Sequence, residues 1–336
     1  MSFGSGIGSC LDIESSKVSV KGIKILNKDI ESTLIHVKGV PEHPLEDIDI
    51  SQCVLTGGKF SIVFDYCDRS EISDCRISEV EHTAIGLYSS HFVRVLNNVI
   101  SGINTNHRQS TSYGIAATYH YGDIKSTDIV ISGNRVSNNP YWEALDTHGG
   151  ERIVFSNNIV KNCWRGVAAV GDDHRDLMLC RDIVIENNDI TCSDEPRANG
   201  IAFSGVGVNN LSSGISVTGN KVHKSVLALY SNHNESVTIS DNSLFATDEI
   251  WRDIGSRDVV FERNKVELAP GDASHYEKSV FYFKPTLTVA NKSFGDLLNN
   301  TIMTKGASLI IQDGNFRSLN SSIREEGNRV ISGTDE

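Results

Sequence analysis

Short runs of alternating apolar and polar residues recur along this chain, each closing on a polar residue followed by another apolar one. DIVIS, RIVFS, DIVIE, GISVT, SVTIS and DVVFE each precede an asparagine. These asparagines are Asn134, Asn158, Asn188, Asn220, Asn242 and Asn264, and Asn98, Asn300 and Asn328 fall in the same frame. In DIDISQCVL and SEISDCRIS, Cys53 and Cys75 take the asparagine's place. The intervals from Cys53 onward are 22, 23, 36, 24, 30, 32, 22, 22, 36 and 28 residues. A second set of runs follows within each repeat: SIVF, AIGLY, YGIAA, EALDT, RGVAA, NGIAF and VLALY. Period-two alternation over four or five residues, rich in Val and Ile, predicts strands. No helix-length amphipathic segment separates them.

A chain of two short strands per repeat, of variable repeat length, winds as a solenoid. The expectation is an all-β, right-handed parallel β-helix of about eleven coils. A leucine-rich horseshoe also carries an asparagine column, but demands leucines at fixed offsets and a nearly constant period. The array spans residues 1–336 as a single domain, with 1–30 as its opening coil and 270–336 as irregular terminal coils. Asparagine tolerates left-handed backbone and satisfies its own turn, so the column is expected to occupy that conformation. Stacked at one strand spacing, ~4.8 Å, its amides would bond from coil to coil. The last coil, NRVISGTDE, lacks an evident cap, so further chain or a partner is expected over its edge.

The net charge of −12 argues against nucleic acid as a partner. No run reaches transmembrane length and MSFGSGIGSC lacks the features of a secretory leader, so no membrane association is expected. The seven cysteines contain no CxxC pair and read as small buried hydrophobes.

Insertions in a solenoid become loops on one face. One coil carries an insertion from Tyr119 to Ser126, a later one from Gly171 to Cys180, and the next from Gly205 to Ser213. Between the first two lies a coil with only Gly149-Gly150 at that place. A trimmed coil between long ones predicts a notch. Aligning Gly114-Ile115, Ala144-Leu145, Gly166-Val167 and Gly200-Ile201 sends Leu145 and Thr147 inward and Asp146 and His148 outward. Their neighbours Ala116, Thr118, Ala168 and Val170 are small, which leaves room. A histidine beside a carboxylate can exchange protons near neutral pH.

Tyr119, His120 and Tyr121 are expected on one rim, and Asp172, Asp173, His174 and Arg175 on the other. Glu143 and Arg165 occupy equivalent positions at the starts of neighbouring strands. Tyr88 and Tyr230 read as members of the His148 column in more distant coils. Trp142 and Trp164 read as core or turn packing. No cofactor is required; calcium at Asp172, Asp173 and Asp146 is the one cation the carboxylates suggest.

The asparagine-ladder coils resemble the pectate-lyase-like single-stranded right-handed β-helix superfamily, which includes polysaccharide lyases, C5-epimerases and phage tailspike depolymerases. Leu145-Asp146-Thr147-His148 is similar to the Asp-Pro-His motif of alginate C5-epimerases. That resemblance implies that Asp146 helps neutralise a uronate carboxyl and that His148 handles the C5 proton. Thr147 stands where that family has proline, and Glu143 where it has its catalytic tyrosine. The resemblance further implies a polysaccharide substrate, a virion-tail or extracellular location, and a homotrimer.

β-Elimination would use His148 as base, Arg165 or Arg175 as the neutralising cation, and Tyr119 or Tyr121 as acid. Hydrolysis would draw two carboxylates from Glu143, Asp146, Asp172 and Asp173. Elimination is preferred, because histidine and tyrosine outnumber well-placed carboxylate pairs. A glycan-binding protein without catalysis is the rival expectation.

Overall fold

A computed structural model describes residues 8–104, 111–120, 124–174, 177–268, 279–284, 295–304, 308–312 and 323–332. Every described strand of the main sheets pairs in parallel with the equivalent strand one coil away. The first sheet has twelve strands, from Ser19–Lys21 to Ile323–Glu326, one per coil. After the ladder turn a second face begins with Lys24–Asn27, and after a further bend a third with Thr33–Lys38. Two long strands, Arg135–His148 and Ile159–Val170, run through the second and third faces without a break, so these faces count as one 22-stranded sheet.

The core is a narrow column of inward side chains. Ile115, Leu145, Val167, Ile201 and Leu229 stack in register on the third face, fully buried. One aliphatic residue per rung suffices, because each coil needs to cover only the coils above and below it. Farther along, Trp251 fills the same column, stacks on Phe261 at 5.3 Å and donates its indole N–H to Ser231 Oγ at 2.8 Å.

The ladder is continuous from Asn98 to Asn328. Each Nδ2 donates to the Oδ1 of the next asparagine at 2.9–3.2 Å. Each backbone N–H donates to that same oxygen at 2.8–3.0 Å. The left-handed residue is the one before the ladder position, not the ladder asparagine. Asn97, Gly133, Asn157, Asn187, Gly219, Asp241, Arg263 and Asn299 hold φ between 53° and 69°. The preceding residue reverses the chain, and the asparagine, freed from the turn, spends its amide on its neighbours. Cys53 and Cys75 continue the column as buried free thiols, and the Cys75 N–H reaches Asn98 Oδ1 at 2.9 Å. Beyond Asn264 the described strands keep their register, and Asn300 bonds Asn328. No helix among the described residues is long and apolar enough to cross a membrane.

Candidate functional site

On the outer side of the third face, one column reads Val63, Gly86, Ala116, Asp146, Ala168, Ala202 and Tyr230. The next reads Asp65, Tyr88, Thr118, His148, Val170 and Ser204. Tyr88 therefore shares the His148 column, two coils away, whereas Tyr230 belongs to the Asp146 column. Leu145 and Thr147 point inward as alternation predicts, and Thr147 donates its hydroxyl to Ala117 O at 2.6 Å.

A cavity of about 510 Å³ opens on this face, with Asp146, His148 and Ala116 among its lining. The trimmed coil is its cause. The segment from Gly171 folds back through paired bonds between Asp172 and Met178, both 2.8 Å, and covers the end of the Asp146 strand. Gly149 has φ +65°, and a Cβ there would stand 2.4 Å from Met178 Cβ. The Tyr88 ring covers Gly86, where a Cβ would stand 2.7 Å from it. Tyr113, Tyr119, Trp142 and His82 complete an aromatic enclosure.

Asp146 faces this pocket but lies beneath its surface, with 1 % exposure. Burial, and then the neighbouring Glu143 carboxylate, push its pKa well above the usual range, against the pull of Arg165. His148 stands over it with Nε2 3.4 Å from Asp146 Oδ2, and turns Nδ1 toward Asp172 Oδ2 at 3.9 Å. Burial holds the His148 pKa below its ordinary value, although Glu143 and Asp172 oppose the shift. Burial also works against ionisation of Asp172. The His174 N–H, the His148 ring and the Tyr119 hydroxyl outweigh it and hold that carboxyl low. His82 is pushed down to about 4, by burial first and then by Lys59. Asp146, His148 and His82 are thus pushed toward their neutral forms and Asp172 alone toward its charged one.

The predicted rims divide. Tyr119, Asp172, Asp173 and His174 line the cavity. His120 turns away: Nε2 meets Asp65 Oδ1 at 3.1 Å, and its ring stacks between Tyr66 and Tyr88. Asp65 also meets His36 Nε2, at 2.6 Å. Tyr121 and Arg175 lie outside the described residues. Glu143 and Arg165 do occupy paired positions, but neither lines the cavity. Arg165 forms a salt bridge with Glu143 Oε1 and donates to Asn199 Oδ1 at 2.6 Å, so its charge is already committed. Long side chains at strand starts reach along the sheet to each other more readily than over the rim. Trp142 and Trp164 stack at 5.4 Å; Trp164 packs on the core, whereas Trp142 is a pocket wall.

Tyr113 and His82 are lining residues that the sequence did not single out, and Tyr88, placed there in the His148 column but in a more distant coil, also reaches the cavity. Tyr113 had a signal, since it aligns with Glu143 in the next coil. His82 arrives from the coil before that, and Tyr88, whose column the register gives, bridges the distance by side-chain reach that a register alone does not encode.

The fold has known counterparts. The tailspike protein of E. coli bacteriophage HK620 aligns with a TM-score of 0.59 and 11 % identity, over 97 % of this chain and 71 % of that one. The catalytic unit of the GH87 alpha-1,3-glucanase from Streptomyces thermodiastaticus aligns at 0.56 and 11 % identity, over 98 % of this chain. This chain spans 64 % of the glucanase's length. PfbA, a surface adhesin of Streptococcus pneumoniae, aligns at 0.53 and 12 % identity, over 97 % of this chain and 84 % of the adhesin. No curated protein matches the sequence. The family model described as right handed beta helix region matches residues 7–190, more than half the chain, and the protein belongs to that family.

Proposed function

We propose that this protein is a carbohydrate-processing β-helix of the tailspike depolymerase type, whose pocket around Asp146 and His148 receives an extracellular or capsular polysaccharide. The observation that carries the reading is His148, held between Asp146 and Asp172 in the wall of a 510 Å³ cavity of aromatic side chains. Concave sites with apolar walls and a few convergent polar groups are where ligands bind. Aromatic faces suit the apolar sides of sugar rings.

The preferred chemistry is β-elimination from a uronate-containing chain. His148 takes the base position. Tyr119, whose hydroxyl lies by Asp172, takes the position of acid on the leaving oxygen. Arg165 is withdrawn as neutralising cation by its bond to Glu143. A second reading, hydrolysis, is favoured by the opposite displacement of Asp146 and Asp172, the pattern of an acid and a base carboxylate. The adhesin among the structural neighbours keeps binding without turnover as the alternative of another class.

Incubation with host capsule and a panel of uronate polymers separates these readings. Elimination raises both the ultraviolet absorbance of unsaturated ends and the number of reducing ends. Hydrolysis raises only the second, and binding alone raises neither. His148→Ala is expected to abolish turnover with an unchanged circular dichroism spectrum, and Tyr119→Phe to slow it about a hundredfold. Full activity in His148→Ala removes that residue from the mechanism. Sedimentation tests the homotrimer that a tailspike role implies.

A further inference from the structure

Beneath the pocket, Glu143, Asp146 and His148 form a cluster whose polar atoms do not match one another. Glu143 Oε2, both Asp146 carboxyl oxygens and His148 Nε2 are buried and have no hydrogen-bond partner outside the cluster; within it Asp146 faces Glu143, and His148 Nε2 stands 3.4 Å from Asp146 Oδ2. Glu143 and Asp146 are only 2 % and 1 % exposed. Folded proteins pair buried polar atoms almost without exception, so a concentration of unpaired ones at a single point calls for a ligand. Each of the three residues offers one ligand atom, and these atoms all lie within 4.8 Å of one another.

We propose that Glu143, Asp146 and His148 form a site for one divalent transition-metal ion of the zinc or manganese class, with its open coordination positions toward the cavity. Tetrahedral ligand bonds of ~2.0–2.2 Å hold donor atoms ~3.4 Å apart; Asp146 Oδ2 and His148 Nε2 already stand at 3.4 Å, so closing the site means drawing in the wider pairs. One imidazole and two carboxylates suit zinc or manganese better than calcium or magnesium, which take oxygen ligands. The surroundings are those of a metal site. Arg165 binds Glu143 through Oε1 and leaves Oε2 facing the cluster. Asp172 faces His148 Nδ1, where an outer carboxylate orients a ligand imidazole.

The ion's role in turnover rests on the glycan reading above. It would supply the positive charge that a uronate carboxylate needs, since no Lys or Arg stands among the described lining residues. A bound ion would be held in part by His148, and Tyr119 and Asp172 would then carry the proton transfer that His148 performs without it.

Full-length protein stripped with chelator and then titrated calorimetrically with zinc and manganese chloride tests the site, with metal content measured after dialysis. A single equivalent is expected. Glu143→Gln and Asp146→Asn should each weaken it by about tenfold or more, with circular dichroism unchanged. Asp173→Asn, in the exposed Asp172–His174 cluster, should bind as the unaltered protein does. Absence of stoichiometric binding by folded protein overturns the proposal, as does undiminished binding in both cluster variants or equal loss in Asp173→Asn. Tyr119→Phe should keep the ion and lose turnover. Ion binding without turnover of any glycan removes the proposed function and leaves this site standing. Turnover by metal-free protein supports the proposed function and removes the ion from its mechanism, while the binding titration still decides the site.

Discussion

The asparagine ladder and the pocket floor are both polar and both buried, yet their polar atoms are treated in opposite ways. At Asn158 every group has a partner: the amide donates to Ile131 O and Asn188 Oδ1, while Oδ1 accepts from Asn134. At Glu143 and Asp146, fifteen and twelve residues earlier in the chain, only Glu143 Oε1 is paired, with Arg165, while Glu143 Oε2 and both Asp146 oxygens have no partner outside the cluster. The first arrangement repeats from coil to coil and stabilises the stack. The second occurs where one coil is trimmed, and keeps two carboxyl groups buried side by side at a cost to stability. Such a cost is typical of functional sites. Burial of polar groups is therefore uninformative by itself here, and the state of their hydrogen bonds separates scaffold from site.

The comparison is broken most severely at the ladder. Asn158→Ala strands the Asn134 N–H and the Ile131 carbonyl, and is expected to cost about 4 kcal/mol in urea unfolding. A loss below about 1 kcal/mol would deny the column its structural role. Asp253 supplies an intermediate case: a buried carboxyl that is partnered, by the Ser231 hydroxyl and the Ser256 N–H. Burial nevertheless raises its pKa from 3.8 to about 6. The folded protein thus holds this proton more tightly than the unfolded chain. Its contribution is fully present below the unfolded value and lost as pH rises through the folded one. Stability should fall by up to about 3 kcal/mol between these limits, and Asp253→Asn should flatten that slope. Denaturation midpoints measured across this pH window decide the matter. The smallest effect is the most diagnostic. Asp146→Asn replaces a carboxyl facing Glu143 with an amide that can donate to it, and should raise stability by about 1 kcal/mol in thermal unfolding. A clear loss would mean that the floor is scaffold after all.

Much of the scaffold was legible because a β-helix writes itself locally. The ladder positions, the inward Leu145 and Thr147 and the outward Asp146 and His148 follow from a period of two and a repeated turn. The place of left-handed backbone was misread by one residue, since Asn97 and Asn98 are both asparagines and composition does not tell turn from ladder. The trimmed coil was visible as an insertion pattern. Its consequence, a cavity roofed by the Asp172–Met178 reversal, was visible only in outline.

What the sequence alone determined is the winding and the facing of each side chain, because both are set by neighbours in the chain and by the same residue one coil away. What the tertiary structure decided is pairing across coils: Arg165 taken by Glu143, His120 drawn to Asp65, and Tyr88 laid over Gly86 toward the pocket. These depend on how far a side chain reaches and which partner it meets first. Distances of a few ångströms settle that, and no repeat spacing contains them.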